Sequence, residues 1–165
     1  MKSIKYNREK AVQYAQTWAL SRNPNYYNFD MIGGDCTNFA SQCIYSGSNI
    51  MNYNKNNGWY YINGNNKSPS WTGVEFLNKF IITNKSVGPF GRIATIEEMD
   101  LGDLVQLSFD GIKFAHTLVI VDIVGELNLQ NILIAAHTDN SLNRKLSSYN
   151  YDKVRFIKIE GVNIW

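Results

Sequence analysis

The hydrophobic periodicity changes near residue 100, and this change constrains the fold more than any other feature of the sequence. Before that point, apolar residues recur at helical spacing, most clearly over 8–21. After it come four short runs rich in β-branched and aromatic residues, separated by turn sequences such as Asp110-Gly111. The runs are DLVQLSF, KFAHTLVIVDIV, NILIAAH and KVRFIKIEGV. Helices followed by an antiparallel meander predict an α+β fold.

Two further helices are predicted between the first helix and the meander. One begins at or just after Asp35, and the other covers about 73–82. Two Thr-x-x-Glu sequences have the spacing of a capping box. They run from Thr72 to Glu75 and from Thr95 to Glu98.

Length and charge limit the classes of partner. The 165 residues suffice for a single domain, 1–165, with its own core, and the sequence contains no internal repeat. The net charge of +2 and the scattered lysines argue against nucleic acid or an anionic membrane as a partner. No apolar run approaches the ~18 residues of a membrane span, and the basic start leads into no apolar signal-peptide core. We expect a monomer.

The segment from Asn49 to Ser70 is rich in asparagine, glycine and serine, and it also contains aromatic residues. Its polar residues favour turns. Two interpretations of Trp59 and of the adjacent Trp71 are open. They form a wall of a ligand site, or they pin a long excursion of the chain to the core.

The two cysteines have different settings. Seven residues separate Cys36 from Cys43, which is a rise of ~10 Å on a helix, whereas a disulfide needs Cα atoms within ~7 Å. Both are therefore expected to be free thiols. Cys43 falls mid-helix on an apolar face, where a buried structural role is expected. Cys36 falls in the first helical turn, where unpaired N–H groups favour a thiolate and would lower the thiol pKa.

The two histidines lie on neighbouring predicted strands. His116 is in mid-strand and His137 closes the next strand. Alternation places His116 on the same strand face as Leu118, with Thr117 and Val119 on the other. Neighbouring strands would allow His137 to orient His116, which then accepts the thiol proton. Asp139 and Asn140 are rival orienting residues, although both also suit a turn.

At these residues the chain resembles the putative amidase domain family, a branch of the papain-like cysteine amidases and peptidases related to NlpC-type and CHAP-type cell-wall hydrolases. The matching stretches cover nearly the whole chain in order. They are YNREKAVQYAQTWAL, GGDCTNFASQCIYSG, SWTGVEFLNKF, MDLGDLVQLSF with FAHTLVIV, and AAHTDNSLNRKLSSY.

The resemblance implies a papain-like fold, with N-terminal helices packed on a C-terminal antiparallel sheet and the nucleophile at a helix start. It implies Cys36 as nucleophile, His116 as general base and then acid, and His137 as the third, polar residue. By the same likeness Asp35 would hold a substrate amino group, although it also suits the N-cap position. A polar upstream side chain completes the oxyanion hole in papain-like enzymes.

The oxyanion candidates are Asn25, Tyr26 and Tyr27.

Three functions are consistent with these residues. The first is a thiol-dependent amidase or peptidase, without a cofactor, that acts on a peptide or on peptidoglycan in a secreted or cell-envelope setting. Trp59, Trp71 and Asp139 would line its cleft. The second is a zinc site of Cys36, His116, His137 and Asp139, although no close-spaced ligand pair exists. The third is a glycan or peptide binding module that has lost the chemistry.

Overall fold

Four α-helices form in the first half of the chain. The computed structural model describes residues 1–165. The helices are α1 (Arg8–Trp18), α2 (Cys36–Ser48), α3 (Pro69–Thr72) and α4 (Val74–Thr83). Asn7 caps α1 by accepting a hydrogen bond from the Lys10 N–H at 3.0 Å. The predicted helix start at Asp35 is confirmed, since Asp35 is the N-cap residue of α2.

Of the two predicted capping boxes, one is confirmed and one is wrong. Thr95 and Glu98 form a capping box on a short 3₁₀ helix. Thr72 instead ends α3, and Gly73 is the N-cap of α4. The carboxylate of Glu75 is therefore free to bind the Arg155 guanidinium at 3.0 Å.

Nine β-strands follow or flank the helices. They are β1 (Lys2–Ile4), β2 (Tyr61–Asn63), β3 (Asn66–Lys67), β4 (Gly88–Ala94), β5 (Leu104–Ser108), β6 (His116–Ile123), β7 (Ile132–Ala136), β8 (Ser141–Lys145) and β9 (Lys153–Ile164). Seven form one antiparallel sheet in the order β1-β9-β5-β6-β7-β8, with β4 also paired to β9. The four predicted strands are confirmed as β5, β6, β7 and β9, but the last does not continue the meander, because β9 pairs with β5 and β8 pairs with β7. No helix of the fold is both long enough and apolar enough to cross a membrane.

The sheet has an apolar layer on each face. Val119 and Val121 of β6 belong to the cluster that also contains the helix residues, whereas Leu118 and Ile120 belong to a second cluster. The predicted alternation along β6 is therefore confirmed. α2 packs against β6, and this contact brings the start of α2 to the start of β6.

A buried ion pair joins α1 to the sheet. The Asp103 carboxylate is fully buried and accepts hydrogen bonds from Arg8 Nη1 at 2.8 Å and from the Ile159 N–H at 2.8 Å. Arg8 also donates to the carbonyl oxygens of Leu101 and Ile159, at 2.8 and 2.6 Å. Burial raises the pKa of Asp103 although the Arg8 cation acts in the opposite direction. One arginine thus fixes the first turn of α1 to β5 and β9.

Candidate active site

The turn before Cys36 is built from two glycines and rests on the end of β7. Gly33 and Gly34 have φ values of 82° and 96°, a left-handed conformation that favours glycine. A Cβ atom on Gly34 would lie 3.2 Å from Thr138 Oγ1. The same Oγ1 accepts a hydrogen bond from the Asp35 N–H at 2.8 Å. The turn therefore has little freedom to move away from Thr138.

The Asp35 carboxylate lies inside this turn and is fully occupied. Oδ1 accepts hydrogen bonds from the Phe29 N–H and from Asn38 Nδ2, both at 2.8 Å, and Oδ2 lies 2.5 Å from His137 Nδ1. Burial acts to raise the pKa of Asp35, but the hydrogen bonds from His137, Phe29 and Asn38 outweigh it and lower the pKa. The carboxylate is fully buried and makes no cap hydrogen bond to α2. It is therefore not accessible to a substrate amino group, which corrects the expectation from sequence.

His137 is held between Asp35 and α1. Its Nε2 lies 2.7 Å from the Trp18 carbonyl oxygen, and since a carbonyl only accepts, Nε2 donates. The ring stacks on Phe39 with centroids 4.0 Å apart. Both ring nitrogens are occupied, so neither can hydrogen-bond to His116. The predicted orienting role of His137 does not agree with this geometry, and the residue instead holds Asp35.

The Cys36 thiol lies at the junction of α2 and β6 and is only 7% exposed. Its Sγ lies 3.7 Å from Thr37 Oγ1, and Thr37 Oγ1 lies 2.9 Å from Thr117 Oγ1. Burial raises the pKa of Cys36, although hydrogen bonds from the backbone N–H groups of Thr117 and Thr37 act in the opposite direction. The expected lowering of the thiol pKa is therefore wrong for this geometry, because desolvation exceeds the effect of the helix start.

His116 is the first residue of β6 and directly precedes Thr117, whose N–H faces the thiol. Its ring is 8% exposed and lies in a surface pocket of about 400 Å³. The other lining residues are Phe109, Ala115, Thr138, Asp139, Arg144, Tyr149 and Asn150. Burial, followed by the nearby Arg144 cation, lowers the pKa of His116 to about 4, and Asp139 acts weakly in the opposite direction. At neutral pH the imidazole is therefore uncharged and can accept a proton.

The sequence of the chain matches one family over almost its full length. Residues 5–159 match the family described as the putative amidase domain. The chain belongs to this family. The YhbB protein of Bacillus subtilis, which carries the description uncharacterized, is 33% identical to it over 123 residues. This match covers 73% of the present chain and 38% of the relative, so the chain spans well under half of that protein. No solved structure matches the chain.

Membership of the amidase family points to hydrolysis of amide bonds. Asp35, Cys36, His116 and His137 all lie within the matched residues. In the structure of the amidase domain, Thr37 next to the thiol contacts Thr117 next to His116, and no hydrogen bond joins the thiol to the His116 imidazole.

The two tryptophans of the asparagine-rich segment are part of the core of the amidase domain. Trp59 and Trp71 are fully buried, with ring centroids 4.8 Å apart. Trp59 Nε1 donates to Ser41 Oγ at 3.0 Å, and Trp71 Nε1 donates to Asn38 Oδ1 at 2.9 Å. They pin the segment to α2 and cannot form the wall of a cleft, so the ligand-site interpretation is wrong for both.

The other predicted site residues of the amidase domain fall in three settings. Cys43 is a fully buried free thiol, as expected, and Cys36 is free as well. Tyr26 is half-buried and stacks on Trp71, whereas Tyr27 is 49% exposed and packs on Phe29. No group of three or more His, Cys, Asp or Glu side chains is placed to hold a metal ion, so the zinc ligand set is not assembled.

Sequence reasoning missed Thr138 and Arg144. Thr138 supports the nucleophile turn and lines the His116 pocket, and Arg144 projects into the same pocket. Thr138 directly follows His137, but no local pattern distinguishes it from an ordinary turn residue. Thr138 and Asp139 have φ values of 56° and 67°, so two successive left-handed residues shape this rim.

The titration of His116 gives a direct test of its environment. We expect its imidazole resonances to titrate near pH 4 in the folded protein, instead of near the ~6.5 of a free histidine. In the unfolded state this histidine binds a proton at a higher pH than in the folded state. The free energy of unfolding should therefore decrease as pH falls from about 6.5 to about 4. NMR titration checks the first statement, and urea unfolding of wild type and His116→Gln checks the second. An NMR titration midpoint near 6.5 would contradict the burial of the His116 imidazole.

Proposed function

We propose that the amidase domain is a thiol hydrolase of amide bonds in peptidoglycan peptides or another peptide substrate. Cys36 is the nucleophile and His116 is the base. The observation that carries this proposal is the position of the thiol, at the first turn of α2 and facing the N–H of Thr117, next to His116. An antiparallel sheet with a cysteine at a helix start is also the plan of papain-like, NlpC-type and CHAP-type enzymes.

In the proposed reaction the resting pair is neutral. Cys36 Sγ attacks the carbonyl carbon while its proton passes to His116. No side chain caps the first turn of α2, so its backbone N–H groups can stabilise the oxyanion. The C–N bond then breaks and the leaving amine takes the proton from His116. Water then attacks the thioester carbonyl and gives a proton to His116, the C–S bond breaks to release the carboxylic acid, and the Cys36 thiolate takes the proton back from His116.

The imidazole has to approach the thiol during this reaction. Alternation along β6 places His116 on the face with Leu118, so its ring points toward the pocket and makes no hydrogen bond with Cys36. We propose that a change of the His116 side-chain rotamer, at the first residue of β6, brings the ring to the thiol. Hydrogen bonds between catalytic groups commonly tighten only in the substrate complex.

Asp139 is proposed as the third polar residue in place of His137. It lines the pocket of His116, and its charge acts to raise the pKa of that histidine. His137, by contrast, has both nitrogens occupied by Asp35 and Trp18. Tyr26 and Tyr27 remain candidates for a side-chain contribution to the oxyanion hole.

The two cysteines of α2 provide a matched test. Cys36→Ala is expected to reduce hydrolysis of isolated peptidoglycan peptides by roughly 10⁴-fold or more, because the covalent step is lost. Cys43→Ala removes a thiol from the same helix and should leave the rate per folded molecule nearly unchanged. Product formation is followed by liquid chromatography and mass spectrometry, and circular dichroism confirms folding. Full hydrolysis by Cys36→Ala would rule out the thiol mechanism.

A further inference from the structure

We propose that Arg144 forms a subsite for a free carboxylate of the substrate, close to the bond that is cleaved. This inference rests on the proposed function, because it assigns a substrate class to the pocket of the proposed base. It predicts that the preferred substrates carry a carboxylate near the scissile amide, as at the end of a peptide.

Arg144 is held rigidly in the pocket. It lies on β8, and its guanidinium stacks 3.6 Å above the ring of Tyr149. Its Nε donates to Ser148 Oγ at 2.8 Å. These two contacts fix the plane of the group. A cation fixed in this way loses little conformational entropy when it binds an anion.

The charge of Arg144 is poorly satisfied within the protein. Its nearest carboxylate is Asp139, at 3.4 Å from Nη1, and that side chain is 88% exposed. Nη2 makes no hydrogen bond inside the chain. The four other arginines each have a carboxylate at 3.0 Å or closer. These pairs are Arg8–Asp103, Arg22–Asp30, Arg92–Glu98 and Arg155–Glu75.

The neighbouring groups favour a carboxylate as the ligand. Arginine binds carboxylates through pairs of N–H groups, and the two Nη atoms offer such an edge. Asp139 lies on the same rim and would repel a doubly charged phosphate more strongly than a carboxylate. The free carboxylate of a C-terminal residue therefore matches the Arg144 cation on this rim.

Binding at Arg144 would also act on the base. The Arg144 cation is one of the two causes that lower the pKa of His116, after burial. A bound carboxylate offsets that positive charge, so the pKa of His116 should rise when the substrate is in place. The base would then become more effective in the complex than in the free protein.

The test measures binding directly and does not depend on turnover. N-acetylglycylglycine and its carboxamide differ only in the terminal charge, and each is titrated into the wild-type protein. The chain has two histidines, so the ring resonance of His116 is assigned with a His116→Gln variant. We expect the free acid to bind at least about tenfold more tightly than the amide and to raise the NMR titration midpoint of His116.

Variants on β8 isolate the role of the guanidinium. Arg144→Gln should abolish the preference for the acid, and Arg144→Lys should retain only part of it. Lys145→Gln removes the same charge from the adjacent, exposed residue and should retain the preference. Equal or undetectable binding of acid and amide, or a preference that persists in Arg144→Gln, overturns the inference. Failure of the proposed function would instead appear as hydrolysis that does not require Cys36.

Discussion

Replacing Arg8 with methionine is expected to lower the free energy of unfolding by about 3 kcal/mol, because the buried Asp103 carboxylate then loses its closest cation and keeps only Lys158 Nζ, at 3.7 Å. The loss also leaves the carbonyl oxygens of Leu101 and Ile159 without the donors that Arg8 supplies. Such a change is a large part of the ~5–15 kcal/mol that stabilises a typical domain. Urea unfolding followed by circular dichroism measures it.

Arg92→Met is the matched control for this prediction. Arg92 also binds two carboxylates, those of Glu98 and Glu160, but it is 44% exposed at the surface. Solvent and salt screen exposed ion pairs, so the control should unfold close to wild type. Comparable losses in the two variants would show that burial of Asp103 is not the cause. Asp103→Leu combined with Arg8→Met should recover part of the loss, since the buried carboxylate is then removed together with its closest cation.

Replacing His137 with phenylalanine is expected to damage both stability and the nucleophile turn. The substitution preserves the stacking on Phe39 but leaves the Asp35 Oδ2 atom without its 2.5 Å partner. Arg22 Nε lies 3.4 Å from the same oxygen and compensates the charge only in part, so a loss of about 3 kcal/mol is expected. Asp35 directly precedes Cys36, so the thiol should also be displaced and hydrolysis should fall by roughly 10²-fold.

A double-mutant cycle measures the interaction between His137 and Asp35 separately from their contacts with other residues. The variants are His137→Phe, Asp35→Asn and the combination, each measured for unfolding free energy and for hydrolysis. If the two side chains act as one unit, the combined loss is smaller than the sum of the single losses. Additive losses would show that His137 does not act through Asp35. If hydrolysis fell as far in His137→Phe as in Cys36→Ala, a direct catalytic role for His137 would be favoured.

The elements that could be predicted from sequence are those set by local pattern. The start of α2 at Cys36, the alternation along β6 and the capping box at Thr95 all depend on residues within a few positions of one another. The strands β1, β4 and β8 could not be predicted from local sequence patterns. β1 and β4 pair with β9, a strand far away in the sequence, and the pairing of β8 with β7 contains a register shift.

The candidate site shows the same limit. Cys36 and His116 could be recognised from residue type and position, but their pKa directions depend on burial, which overrides the helix-start effect at the thiol. Trp59 and Trp71 are buried with their indole N–H groups donating hydrogen bonds to Ser41 and Asn38 of α2. The sequence of the segment contains no pattern that indicates these contacts. Which partners His137 contacts is likewise fixed only when α1 and α2 pack together.

The pairing of β9 has a consequence for how the chain reaches its native state. Its twelve residues join β1, β4 and β5, and Ile164 lies opposite Lys2. Contacts between such distant parts of a chain slow folding, because a long loop has to close before they form. During synthesis the helices and the β5–β8 strands leave the ribosome before their sheet partner exists. We expect the sheet to be completed only after β9 has been synthesised, on a timescale of milliseconds to seconds.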